Sequence, residues 1–208
     1  MIARSLHLVV PCAAGIIVIV SCAPDPQSGT SGAQTDAQKV ASLIDCLAVD
    51  GGPKSNVAIS AAYKAAEEIK SHGTAAFSSL LAHRDDRRSS IPMRNWAQIT
   101  VGAACMAILE DLVFPLPSDY QRTLYRTGRD GKEYERLFAR RGFTNGQDIE
   151  QWLNDRKDWT LERIQSESLR VLIEDEQRIG FATQEAEDSF IKPLVELRAT
   201  IVDRTRNP

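Results

Sequence analysis

Apolar residues fall in two arrangements along the chain. From Leu6 to Val20 they form an almost unbroken run of about 15 residues; beyond residue 36 they recur at spacings of three and four, which gathers them on one helix face. Asp36 is positioned to cap a first helix carrying Val40, Leu43, Ile44 and Leu47, ended by Gly51-Gly52-Pro53. Ser55 or Asn56 caps a second, on which Ile59, Ala62, Ala66 and Ile69 recur until Gly73 stops it. Thr74 opens a short third helix with Phe77, Leu80 and Leu81 inward. Thr100 caps a fourth that aligns Val101, Cys105, Ile108 and Leu112 and ends at Pro115 and Pro117. Residues 115–145 read as a less regular connection, in which Gly128 and Gly131 interrupt any helix and Tyr134 to Arg140 form a short one. Thr144 or Asn145 starts a segment with Ile149, Trp152 and Leu153, and Thr160 caps a long helix reaching Ile179-Gly180. Phe190, Leu194, Leu197 and Ile201 mark a last stripe, with Pro193 in its first turn or at a kink. No stretch alternates as a strand would, so the expected fold class is all-α.

The first run differs in kind. It follows Met1 to Ser5, which carries the single positive charge of Arg4, and it is short for a membrane-spanning helix, which needs about 18 to 20 residues. It ends in Ile19-Val20-Ser21-Cys22, which resembles the lipobox of bacterial lipoproteins. That resemblance implies a signal peptide over 1–21 and diacylglycerol on the Cys22 sulfur. It also implies a location in the cell envelope, at the periplasmic face of the outer membrane if the organism has two membranes, because Ala23 rather than Asp follows the cysteine. An ordinary secreted chain and an uncleaved anchor helix are the alternatives. Residues 22–35, rich in Pro, Gly, Ser and Gln, read as a flexible tether with a root-mean-square span of roughly 20 Å. Residues 36–208 then form a single α-helical domain.

Within that domain, residues 56–115 place a helix, a Gly-containing turn, a short helix with a Leu pair, the tip Arg84-Asp85-Asp86-Arg87 and another helix in succession. This order resembles one and a half HEAT-type units, which bury their faces by stacking on neighbours. An irregular helix bundle fits the same pattern.

Composition and charge narrow the chemistry. Of the 208 residues 43% are hydrophobic and 25% charged, as in a folded protein, and the formal net charge is −3. Loss of Arg4 with the signal peptide would leave −3 − 1 = −4. Nucleic acid is therefore not an expected partner. The Arg-containing stretches 84–88 and 136–141 are interleaved with acids or hydrophobics and read as solvated surface.

Cys12 leaves with the leader and Cys22 takes lipid, so Cys46 and Cys105 remain, either as a disulfide or as small buried apolar groups. No phosphate loop, nucleophile elbow, zinc motif or calcium loop is present, so neither a cofactor nor a metal is expected. His72 and His83 read as surface residues. Glu167-Ser168 is superficially similar to the Glu-Ser pair of lytic transglycosylases, without that family's other motifs, and Glu174-Asp175-Glu176 reads as a solvated face. Trp152 and Trp159 form a platform for a partner or close the core. The expectation is a lipid-anchored domain that holds a protein partner and has no catalytic activity. The alternatives are an envelope enzyme cutting glycan through carboxylates and a small-ligand-binding lipoprotein.

Overall fold

A computed structural model describes residues 35–49, 56–90, 99–116, 125–135 and 149–206. Within these the chain is all-α, with two small antiparallel strand pairs. The helices are α1 (Asp36–Asp45), α2 (Asn56–Ser71), α3 (Phe77–Ala82), α4 (Val101–Val113), α5 (Ile149–Asn154), α6 (Leu161–Ile179) and α7 (Gln184–Arg206). Thr35, one residue before the expected cap, starts α1 with a reciprocal capping box to Gln38. Gly73–Ala76 is a 3-10 turn leading into α3, with Gly73 at φ 56. Thr100 and Thr160 cap α4 and α6 through their hydroxyls, and Gly180, at φ 71, ends α6. Pro193 lies well inside α7, not in its first turn.

Helix α4 organises the core. It is apolar on nearly all sides, and Val101, Gly102, Ala104, Cys105, Ile108, Leu109, Leu112 and Val113 are all buried. Around it one contiguous core gathers Val40 and Ile44 from α1, Ile69 from α2, Leu80 from α3, Trp152 from α5 and Leu169 and Leu172 from α6. Both ends of α4 are completed by other elements. The N–H groups of Val101 and Gly102 donate to the carbonyls of Arg88 and Asp86 at 2.8 and 2.9 Å. At the far end Gln165 Nε2 donates to Leu112 O at 2.8 Å and Ser168 Oγ to Val113 O at 2.6 Å. These bonds satisfy groups that a helix terminus leaves without partners. Gly102 is required here, because a Cβ would stand 2.2 Å from Arg84 O.

The strands are a departure from the expected pattern. β1 (Ser89–Ser90) pairs with β2 (Ile99–Thr100), and Ser90 Oγ donates to Leu47 O at 2.7 Å. β3 (Tyr125–Thr127) pairs with β4 (Glu133–Glu135) across the turn Gly128 to Lys132. Tyr134 and Glu135, expected to open a short helix, are therefore strand residues; the rest of that segment, to Arg140, lies outside the described residues. The pairing places Arg126 inward, and its cation finds a partner there instead of helical neighbours.

Arg126 and Glu176 bury their side chains to 4% and 1% exposure and form an ion pair between Nε and Oε2. Arg126 also donates through Nη2 to Glu176 O at 2.7 Å and through Nη1 to Gly180 O, and its Cζ lies 4.0 Å from the Phe181 ring centroid. The hairpin is thus fastened to the C-terminal end of α6. Reading Glu174 to Glu176 as wholly solvated is corrected for Glu176, which points inward one turn beyond Leu172 and Ile173. The loop 84–88 is likewise more than a solvated tip: Arg88 grips Asp86 at 2.7 Å and Asp45 at 2.8 Å, and Arg84 reaches Glu150 at 2.6 Å.

Candidate functional site

At the end of α5 the chain turns tightly, with Arg156 N donating to Leu153 O and Trp159 N to Arg156 O, each at 2.9 Å. These turns bring the two tryptophans of the sequence reading to either side of one arginine. Arg156 Cζ lies 4.2 Å from the Trp152 ring centroid and 5.2 Å from that of Trp159, and Arg163 Cζ, in the first turn of α6, lies 4.0 Å from Trp159. The result is a ladder of indole and guanidinium groups in the order Trp152, Arg156, Trp159, Arg163. The two tryptophans have different environments. Trp152 is fully buried in the core, whereas Trp159 is half-buried.

Trp159 forms one wall of an open cleft of about 440 Å³, with Arg163, Ser166 and Glu167 along α6 and Val202 and Thr205 across on α7. Arg198 Nε donates to Ser166 O at 3.1 Å and fixes α7 against this face. Glu167 is already engaged: Arg170 donates to its two carboxylate oxygens, 2.8 Å each. Those hydrogen bonds hold the Glu167 carboxyl below its usual range against the opposing effect of burial, with Arg156 and Arg198 adding attraction. Arg163 differs in having no carboxylate partner among the described residues; its guanidinium is held only by the indole. Stacking of this kind leaves the edge of the guanidinium, with its donors, directed outward.

Other sequence candidates fall elsewhere. Cys22 lies outside the described residues. Cys46 and Cys105 are not joined in a disulfide. Cys105 sits fully buried on α4, and desolvation pushes its thiol up to about 12, so it belongs to the core as a small apolar group. Ser168, beside Glu167, is buried and its hydroxyl donates to Val113 O. His72 and His83 are half-buried rather than fully on the surface, and His83 Nδ1 lies 2.8 Å from Ser79 O.

No protein-family model, curated protein or solved structure matches this chain. Sequence reasoning missed Arg156 and Arg163, although tryptophan and arginine alternate at spacings of four, three and four from 152 to 163. That alternation was the available signal. Among the described residues no group of three or more His, Cys, Asp or Glu side chains converges as a metal site, and no helix is long and apolar enough to cross a membrane.

Proposed function

We propose that this chain is a lipid-anchored cell-envelope protein whose helical domain holds a protein partner at the cleft between α6 and α7. The anchoring half rests on the order of charge, apolar run and Ile19-Val20-Ser21-Cys22, and a tether ending near residue 35 agrees with a first helix capped by Thr35. The HEAT-like reading of residues 56–115 belongs to the same proposal and is supported by the packing of α2 and α3 on α4.

One observation carries binding over catalysis. The acid best placed in the cleft, Glu167, is gripped on both oxygens by Arg170 and kept ionised, so it has no proton to donate as a glycosidase acid must. What the cleft offers instead is a half-buried tryptophan and a stacked arginine, the residue types that dominate interface hot spots.

The test is cross-linking in native envelopes, with wild type, Cys22→Ser and Trp159→Ala compared by mass spectrometry. Lipid on Cys22, together with a specific partner captured by wild type and lost with Trp159→Ala, is the expected result. A Cys22 without lipid overturns the anchoring half, and capture indifferent to Trp159 overturns the cleft.

A further inference from the structure

The cleft contains one feature that its own chain leaves unmatched. Arg163 is exposed, stacked at 4.0 Å on Trp159, and without a carboxylate partner among the described residues, while its neighbour Arg170 is occupied by Glu167 and Glu174. A guanidinium fixed against an indole loses little freedom when a ligand arrives, and its planar fork matches a carboxylate in two parallel hydrogen bonds. Beside the fork, Trp159 and Val202 supply apolar walls, and the cleft's volume of about 440 Å³ lies within the span of roughly 300 to 1,000 Å³ seen for ligand pockets.

We infer that Arg163 receives the carboxylate of one acidic residue in a polypeptide segment, with an aliphatic side chain next to that acid resting on Trp159 and Val202. This rests on the reading of the cleft as a partner site and names the chemistry of the partner. A peptide carboxylate is favoured over a phosphate, whether of lipid or nucleic acid, by the two acids on the same wall. Glu162 and Glu167 both line the cleft, and they repel the closely spaced charges of an anionic lipid surface or a nucleic-acid strand more than a lone carboxylate. Both faces of the chemistry are then used: charge by Arg163, apolar contact by Trp159 and Val202.

The test uses the full chain purified in non-ionic detergent, with the arginine Nε–H signals followed by NMR. Four probes are titrated: acetyl-Gly-Leu-Glu-Gly-amide, its Gln counterpart, inorganic phosphate, and phosphatidylglycerol vesicles. The Glu peptide should shift the Arg163 signal saturably, and the Gln peptide should bind roughly tenfold or more weakly, as expected when a hydrogen bond loses its charge. Arg163→Lys, followed through the Trp159 indole N–H signal, should bind the Glu peptide about tenfold more weakly with an unchanged circular dichroism spectrum, since a point charge does not replace a fork. Equal binding of the two peptides overturns the inference, as does no saturable binding of the Glu peptide, or a response to phosphate or vesicles that exceeds the peptide's. The N-terminal mass of the same sample reports lipid on Cys22 independently, so failure of the anchoring reading and failure of the carboxylate site give different results.

Discussion

Replacing Glu176 with alanine should be among the most damaging changes available to this domain. The substitution leaves the Arg126 cation inside with the carbonyls of Thr127, Glu176 and Gly180 and the Phe181 ring, but without the carboxylate that balances its charge. Removing one member of a buried pair costs about 3 to 5 kcal/mol. At about 2 to 4 °C per kcal/mol for a chain of this size, Tm should fall by roughly 6 to 20 °C. Glu176→Gln retains the shape and one acceptor and loses only the charge, so it should cost less, about 1.5 to 3 kcal/mol. The informative comparison is the double replacement Arg126→Met with Glu176→Leu, which removes both charges and refills the space. It should lie within about 1 kcal/mol of wild type or above it. Thermal and urea denaturation of wild type, Arg126→Met, Glu176→Leu and the double variant completes a cycle that isolates the pair. Additive losses, or a Glu176→Ala cost under about 1 kcal/mol, would refute the view that these groups act as one buried unit.

Three further outcomes follow from the same geometry. Gly102→Ala should destabilise by about 1 to 3 kcal/mol in urea, because its Cβ meets backbone, not a movable side chain, at 2.2 Å. Glu167, held below the usual carboxylate value of 4.5 by Arg170, contributes stability present above its unfolded pKa and lost as pH falls through the folded one. Tm should therefore drop less between about pH 7 and about pH 3 in Glu167→Gln than in wild type. Cys105, with its thiol pushed up to about 12 and no exposed surface, should resist iodoacetamide at about pH 8 until denaturant is added, whereas half-buried Cys46 should label sooner, as peptide mass mapping would show.

Helices were legible in the sequence wherever apolar spacing and polar caps agreed. Thr100 and Thr160 start α4 and α6 as their positions before apolar stripes require, and Gly180 ends α6 because only a residue without Cβ takes φ 71 easily. The hairpin was hidden for a physical reason. Tyr125-Arg126-Thr127 and Glu133-Tyr134-Glu135 are too short and too polar to alternate visibly, and the inward position is taken by an arginine. Its partner was equally disguised, since Glu176 belongs to a run of acids. Its spacing from Leu169, Leu172 and Ile173 nevertheless puts it on the apolar stripe, and a charge in such a place is the mark of a buried pair. The ladder from Trp152 to Arg163 was half legible. The tryptophans stood out singly, but the turn that stacks arginines between and upon them depends on backbone bonds that periodicity does not report.

The borrowed endings of α4 set a limit on how early this protein can finish folding. Its last carbonyls take their donors from Gln165 and Ser168, separated from Leu112 and Val113 by 53 and 55 residues. A nascent chain that has emerged only as far as α5 therefore holds the most apolar helix of the domain with one end incomplete and one flank uncovered. The slow event is then the search that returns a distant segment to that flank, since local helix formation is far faster. Until the final quarter of the chain is free to move, the core stays open.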